Sequence, residues 1–490
     1  MTPIRAIVGR FSFDFTHAVM ENIMQKFSFE HAAIISSGAE PKWYKALPED
    51  KQQWFDSGEI RSCTYAGVHF EELAPLDPVL IENMRTCEAH FMNMVQRQEW
   101  KYQISYETRK EWYFKHLRYW NDYIARHQIN LYVSAWLPHE IPDIIIYHLC
   151  KLKNIPVFFF NTTTERDTAY LETDIVESAV QIEKRYEELL KEYSGATEFS
   201  AVPLSPEFEE RFRSLTQPQG QTTPLQTLKV STYWSTVRNM LFRKPLQFLR
   251  HAVAFLTPKG IARAWSTWQR STLIAERNAF YNKHAINPDL TVPYVYLALH
   301  FQPEASTNPM AGPFVEQVLI AQMLNACLPD NVLIYVKEHP KESSWVCRDV
   351  QYYKDFLALS KVRLVSRETD TFALRENCVA VATATGSVGF EALFRGKPVF
   401  IFGYRFYQFA RGVFRIRTME DCQNAVKQIF QNHTKPQLIE SRLYLKAMED
   451  TRVHGLVNPW DRKVSHLSDE QHITANTEAL VAALSKLSFD

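Results

Sequence analysis

The sequence predicts a two-lobed α/β protein, and three observations lead there. Short apolar runs alternate with helix-like segments in residues 1–200 and again in residues 286–420. Between them lies a stretch of different composition, first rich in Pro, Ser, Thr and Gln and then in Lys, Arg and aromatics. The chain of 490 residues is too long for one core and suits two domains plus an insertion. The expected organisation is a first Rossmann-like lobe over 1–200, a linker and basic helical insertion over 201–285, a second Rossmann-like lobe over 286–420, and C-terminal helices over 421–490.

In the first lobe, Arg5 to Phe11 reads as a short buried strand, Asp14 to Phe27 as a helix and His31 to Ser36 as a second strand. Residues from Lys42 to Arg126 are polar, aromatic and helical in composition. Ile129 to Ala135 is a strand, Pro138-His139-Glu140 a loop, Pro142 to Lys153 a helix and Ile155 to Phe160 a strand. Apolar runs joined through a helix predict parallel pairing. Glu172 to Tyr193 reads as an amphipathic helix, and Ser200 to Pro224 as a linker.

From Gln221 to Ala275 there is no acidic residue. Lys229, Arg238, Arg243, Lys244, Arg250, Lys259, Arg263 and Arg270 alternate with Trp, Phe and Leu. That pattern fits a pair of helices on a membrane surface, an insertion packed against the lobes, or a nucleic-acid surface. In the second lobe, strands are expected at Pro293–Ala298, Val332–Val336, Val362–Val365, Cys378–Ala382 and Pro398–Phe402. Helices are expected at Phe314–Leu328 and Val388–Phe394, and most of Thr418–Asp490 reads as helical.

Hydrophobic residues at 46% and charged residues at 22% suit a soluble globular protein, and a formal net charge of zero argues against a polyanion-binding molecule as a whole. Seven scattered cysteines without a C-x-x-C pair argue against a disulfide framework and a zinc module, and for a reducing compartment. Neither a signal peptide nor a transmembrane run is expected. A cytoplasmic protein is the expectation, working at the inner face of the membrane if the basic stretch binds lipid.

Two loops in the second half carry most of the chemistry. The first is Thr383-Ala384-Thr385-Gly386-Ser387, between a strand and a helix. Hydroxyls beside helix-end N–H groups suit a phosphate. Gly386 and Gly389 would allow close approach and unusual dihedrals, and Glu391 could accept from ribose hydroxyls. The plainer reading is a capped β–α turn. The second loop is Lys337-Glu338-His339-Pro340 at a strand end, where His339 can donate to a phosphate oxygen, Lys337 adds charge and Pro340 stiffens the loop. Loops at one sheet edge can converge on one ligand.

Further along the same edge, His300-Phe301-Gln302-Pro303-Glu304 offers Gln302 to a base or phosphate and Glu304 as a catalytic or orienting carboxylate, or else is an ordered inter-domain loop. Arg405, after another strand, could neutralise phosphate. In the first lobe, His139 and Glu140 could supply a general base, or they cap the helix that follows. Asp14 competes for that role. No D-x-D loop and no H-E-x-x-H spacing occurs, so no metal site is expected and metal-independent chemistry is favoured. No cofactor is expected beyond a nucleotide-linked substrate.

The pairing of His339-Pro340 with Thr383 to Ser387 resembles GT-B bacterial sialyltransferases and β-Kdo transferases. Phe301 to Glu304, Lys337 to Pro340 and the run from Thr385 to Val399 are similar to the capsule polysaccharide biosynthesis proteins in particular. The resemblance covers roughly residues 290–415. It implies a GT-B fold with two lobes facing a central cleft and a glycosyltransferase using a CMP-activated acidic sugar. His339, Thr385 and Ser387 would contact the donor phosphate, and the base would be a carboxylate of the first lobe. Expected partners are a nucleotide-sugar donor and a glycan acceptor, lipid-linked if 221–275 meets the membrane, with no nucleic acid. CDP-glycerol polymerases share a similar His-Pro layout, and a UDP-sugar transferase or epimerase, or a non-catalytic capsule-assembly scaffold, are the rival readings.

Overall fold

The computed structural model describes residues 3–38, 41–98, 104–217, 257–302, 304–344, 348–458 and 465–487. The chain forms two compact units. The first is built of Met1–Arg97, Ile104–Arg185 and Ala447–Asp490, the second mainly of Tyr186–Lys446. Each unit has one six-stranded sheet and a core of its own. The expectation of an α/β fold with two Rossmann-like lobes therefore holds.

In the first unit the strands are β1 (Ile4–Gly9), β2 (Phe29–Ser36), β3 (Gln52–Asp56), β4 (Leu131–Ser134), β5 (Val157–Thr162) and β6 (Ala169–Glu172). Their order is β3-β2-β1-β4-β5-β6, parallel except for β6. Helices cover both faces, so the central strands read as continuous apolar runs. Ile4, Ala6 and Val8 of β1 enter one core with Val19 and Ile23 of the helix Asp14–Lys26 and Leu480 of the helix Asp469–Leu484. The helices Arg85–Val95, Tyr106–Arg126 and Asp143–Leu152 pack on one another. Strand order reverses between β1 and β4, and the crevice at their C-terminal ends is the switch point where such sheets bind ligands.

The second unit repeats the plan. Its strands are β7 (Tyr294–Ala298), β8 (Leu333–Lys337), β9 (Val362–Leu364), β10 (Ala380–Thr383), β11 (Val399–Ile401) and β12 (Val413–Arg415). They are all parallel, in the order β12-β11-β10-β7-β8-β9. The switch point lies between β7 and β10. Loops after β7, β8, β10 and β11 are those that the sequence singled out.

Some elements differ from expectation for local reasons. Strands β3 and β12 lie at sheet edges, where burial is partial and the apolar signal thin. Residues 206–216 form a helix inside the expected linker. Ser205 caps it by accepting from the Phe208 N–H, Pro206 takes the first turn, and Phe208, Phe212 and Leu215 are buried. The segment expected as a block of C-terminal helices is divided. The helix Met419–Val426 belongs to the second unit and Ala447–Asp490 to the first, where Leu480 and Leu484 complete the core. Residues 218–256, most of the basic aromatic stretch, lie outside the described residues. Of the expected helix pair, only the helix Pro258–His284 is described.

Candidate functional site

In the second unit the site grows from the ends of β7 and β10. His300 follows β7 and is buried. Its Nε2 accepts from the Thr385 N–H at 3.1 Å and stands 3.0 Å from Thr383 Oγ1. Thr383 Oγ1 in turn accepts from the Gly386 N–H at 3.0 Å. Nε2 of His300 is therefore the bare nitrogen of a neutral ring. Burial, assisted by the electrostatic influence of His339, Arg405 and Arg348, pushes the His300 pKa down to about 3.

This changes the reading of the Thr-Gly-Ser turn. The N–H groups of Thr385 and Gly386, expected to cradle a phosphate, are already used by His300 and Thr383. The Thr385 hydroxyl donates to the Ser306 carbonyl at 2.5 Å, so in this conformation it has no proton for a phosphate. Thr385 and Gly386 build the floor of the site and do not line it. Gly386 has an ordinary φ of −70°. Its small size matters because a Cβ there would lie 2.7 Å from Thr383 Oγ1. Ser387, half-buried, begins the helix Ser387–Leu393 and keeps its candidacy.

Gly389 serves packing and not ligand approach. A Cβ at this position would stand 2.5 Å from the Tyr407 hydroxyl and 3.0 Å from Val399 Cγ1, and that hydroxyl donates to the Gly386 carbonyl. Gly389→Ala should push Tyr407 off this carbonyl and destabilise the second lobe by about 1–3 kcal/mol. Urea melts would read the loss, and an unchanged midpoint would contradict the packing role.

His339 lies just past β8 and is half-buried. Its Nδ1 accepts from the Lys341 N–H at 3.2 Å. Burial lowers its pKa, with Glu304 opposing and Lys341 assisting. A neutral ring whose Nδ1 accepts must carry its proton on Nε2. His339 is thus a pre-set neutral donor. Pro340, exposed, opens the short 3₁₀ turn Pro340–Ser344 that supplies the Lys341 N–H. Glu304, half-buried, accepts from the Ser306 hydroxyl at 2.9 Å. It acts electrostatically on both His339 and Arg405, so the structure brings Glu304, His339, Arg405 and His300 into one neighbourhood.

Four other expected ligand contacts are corrected. Lys337 spends its ammonium on the carbonyls of Ser366, Arg367 and Thr369, at 3.2, 2.7 and 2.8 Å. Burial lowers its pKa to about 8. Glu338 is buried and takes the Tyr353 hydroxyl and Arg367 Nε. Gln302 is buried, with Nε2 donating to the Val315 carbonyl at 3.0 Å and Oε1 accepting from Thr307 at 3.0 Å. Glu391 pairs with Arg375. Lys337, Glu338 and Gln302 hold loops together, and Glu391 ties the helix Ser387–Leu393 to the helix Thr371–Asn377. For the first three, position after a strand was legible in sequence but side-chain direction was not.

Two arginines complete the site. Arg405 follows β11, and its buried Nε has no hydrogen-bond partner. Burial lowers its pKa, against Tyr407 and Glu304. Arg348 sends Nη1 to the His300 carbonyl at 3.2 Å and pairs with Glu342 at 3.5 Å. Its Nη2 is likewise buried and unpartnered. A buried donor without an acceptor is costly, and an anionic ligand would satisfy such donors. Arg348 and His300 were given no role from sequence. A polar residue directly after an apolar strand was the available signal for His300. Arg348 had none.

In the first unit, Arg10 follows β1 with φ 69°. Its guanidinium grips Asp143 twice, at 2.7 and 2.9 Å, with both groups buried. Burial works against the Arg10 charge, but Asp143 outweighs it and holds the guanidinium above its ordinary pKa. This pair fastens the switch point to the helix behind His139 and Glu140. His139 Nδ1 donates to the Leu137 carbonyl at 2.6 Å, and Nε2 stands 4.0 Å from Glu140 Oε1. Burial lowers the His139 pKa, with Glu140 opposing, so Nε2 is a bare acceptor at neutral pH. Burial raises the Glu140 pKa, yet His139, Arg61, Arg10 and Arg97 together carry it below the ordinary carboxylate value, and Arg61 pairs with it at 3.1 Å. His139 and Glu140 thus stand side by side, one a neutral acceptor and the other a carboxylate held ionised by its cationic neighbours. Asp14 does not join them: it is fully exposed on the surface and paired with Lys42. Among the described residues, no group of three or more His, Cys, Asp or Glu is placed to hold a metal ion.

The buried histidines give the protein an acid limit. His116 in the first unit and His300 in the second each have a pKa of about 3, against 6.5 when exposed, with burial the leading cause. The unfolded chain therefore takes up these protons first. Stability is complete above pH 6.5 and falls as pH drops towards 3. At pH 5 each lobe should have lost about 2 kcal/mol from this source. Thermal melts at pH 7.5 and 5 read it directly, and His116→Gln should remove only its own share in the first lobe, where burial also lowers His148 to about 3 and His90 and His31 to about 4.

Residues 311–455 match the family described as capsule polysaccharide biosynthesis protein, and the match starts after the Phe301 to Glu304 motif. No curated protein matches the chain. Solved structures similar to it include the β-Kdo 2,7 transferase of Thermosulfurimonas dismutans KpsC, at 10% identity and TM-score 0.32, covering 82% of this chain and 97% of that one. The β-Kdo 2,4 transferase of the same protein matches at 14% identity and TM-score 0.29, over 65% and 79%. The UDP-GlcNAc 2-epimerase of Methanocaldococcus jannaschii matches at 11% and 0.25, over 92% and 100%. Fold class here rests on the two sheets themselves. The stretch that holds both His339-Pro340 and Thr385-Gly386-Ser387 is the one that matches the capsule polysaccharide biosynthesis family.

Proposed function

We propose that this chain is a glycosyltransferase of capsule or surface polysaccharide assembly, using a nucleotide-sugar donor held by the second lobe. The observation that carries the reading is His339. It is a neutral ring with its proton set on Nε2, beside buried, unpartnered donors of Arg405 and Arg348, inside a segment that matches the capsule family. The leaving phosphate is the group whose charge grows in such a transfer, and pre-oriented donors in a dry site are the largest available help. His339 and Ser387 donate to that phosphate, Arg405 and Arg348 balance its charge, and Glu304 orients the donor sugar. The base for the acceptor hydroxyl is Glu140 of the first lobe, with His139 beside it. We take the donor to be a CMP-linked acidic sugar, and the acceptor to be a glycan on a lipid carrier.

Thermal-shift titration of the whole protein with CMP, CDP, UDP and GDP tests this. A ligand held only by the folded state must raise stability, by about 2.7 kcal/mol at a hundredfold excess over Kd. Selective stabilisation by CMP, together with CMP release from a CMP-sugar, is the expected result. A response to UDP alone would move the reading to a UDP-sugar enzyme, and no response to any of the four would remove the donor site and favour a scaffold.

A further inference from the structure

The helix Pro258–His284 has two unlike halves. Its C-terminal half is anchored in the second unit. Arg277 is 1% exposed, paired with Glu342 and bonded to the Glu342 carbonyl. Tyr281 is fully buried and donates to the Val365 carbonyl at 2.6 Å. The N-terminal half offers large apolar side chains to solvent: Ile261 and Trp265 are 59% exposed and Trp268 57%. Positions 261, 265 and 268 are spaced four and three apart and so share one face of the helix. The two indoles lie against each other, with centroids 5.0 Å apart and planes at 33°.

Single exposed apolar residues are ordinary, but a stripe with paired tryptophans is not. Its charge setting is equally one-sided. Residues 221–275 hold eight Lys or Arg and no Asp or Glu, in a chain whose formal net charge is zero. Tryptophan favours the boundary between water and hydrocarbon, and basic residues near a membrane surface gain about 1 kcal/mol each from anionic lipid. Among the described residues, no helix is long and apolar enough to cross a membrane. We infer that the N-terminal half of this helix lies on an anionic lipid surface, with Ile261, Trp265 and Trp268 in the headgroup boundary; the wholly basic charge of the sequence 221–275 favours anionic over neutral lipid. The inference does not rest on the donor-site reading. It would bring the enzyme to acceptors carried in the membrane.

The test is co-sedimentation of the full chain with vesicles, either phosphatidylglycerol mixed with phosphatidylethanolamine or phosphatidylcholine alone. The salt level is about 0.1 M, where charges still act over roughly 10 Å. The expected result is binding to the anionic vesicles only, weakening with added salt. The double variant Trp265→Glu/Trp268→Glu should lower the partition at least about tenfold, while Trp265→Phe/Trp268→Phe retains most of it. Both variants keep the thermal midpoint and nucleotide response of the parent, which separates this result from a folding defect and from any failure of the donor site. Equal binding by the parent and the Glu variant would overturn the inference, as would no binding to anionic vesicles. A loss of thermal stability in the Glu variant would show that the indoles pack inside the protein and would overturn it too. So would binding of duplex nucleic acid in place of vesicles.

Discussion

His339→Ala should lower turnover about a hundredfold to a thousandfold, the usual cost of removing one donor from a charge that develops in the transition state. The expectation comes from the tautomer. With the Lys341 N–H on Nδ1, the ring keeps its proton on Nε2 without becoming cationic. The pKa lies below the ordinary histidine value, chiefly through burial, so the donor form persists over the whole neutral range. Two signatures separate this role from a structural one. The loss should fall mainly on kcat, because the interaction strengthens as the phosphate departs. His339→Gln should recover part of the activity, because its amide can donate from a similar place. The assay is nucleotide released from a CMP-sugar, followed alongside thermal melts. A variant that loses activity only in proportion to lost folded protein would show that the ring merely braces the Pro340–Ser344 turn.

Both sheets were legible in sequence wherever strands are buried on two faces. β1, β4, β7, β8 and β10 read as apolar runs because helices cover them on each side. β3 and β12, at the outer edges, carry Gln52, Asp56 and Arg415, and the polar residues hide the strands. Loops after strands were found correctly, since strand-end position needs only the pattern. Which way a side chain turns there depends on partners far away in sequence. Lys337 turns to carbonyls 29 to 32 residues on, and Thr385 to Ser306, 79 residues back. Arg10 meets Asp143 across 133 residues. No local pattern carries that information, and so Lys337, Gln302 and Thr385 were expected to face a ligand when they hold the frame. Arg10, which follows the apolar run Ala6–Gly9, had at least the oddity of a charge placed where burial was expected.

Asp143→Ala should destabilise the first lobe by about 3–5 kcal/mol, because it leaves the Arg10 guanidinium buried without its partner. Side-chain exposure is 4% for Arg10 and 0% for Asp143, so solvent cannot take over the lost contacts. The arginine also sits at φ 69°, a left-handed backbone state that costs a non-glycine residue of order 1–3 kcal/mol and persists only where its surroundings enforce it. Removing Asp143 removes that enforcement and lets the end of β1 relax. Arg10→Met/Asp143→Leu should behave quite differently. Volume is roughly kept, no charge is stranded, and replacing a buried ion pair with apolar groups is often neutral or stabilising. The double variant should therefore melt in urea within about 1–2 kcal/mol of the parent, the φ cost at position 10 being common to both. It should not restore chemistry. Arg10 is one of the charges that hold the Glu140 carboxylate below its ordinary pKa, and without it the acid limb of any Glu140-dependent activity should move to higher pH. A double variant as unstable as Asp143→Ala would mean that the switch point is held by the hydrogen bonds themselves and not by the need to match a buried charge. A stable double variant with the parent's pH profile would detach Arg10 from the chemistry and leave it a purely structural clamp.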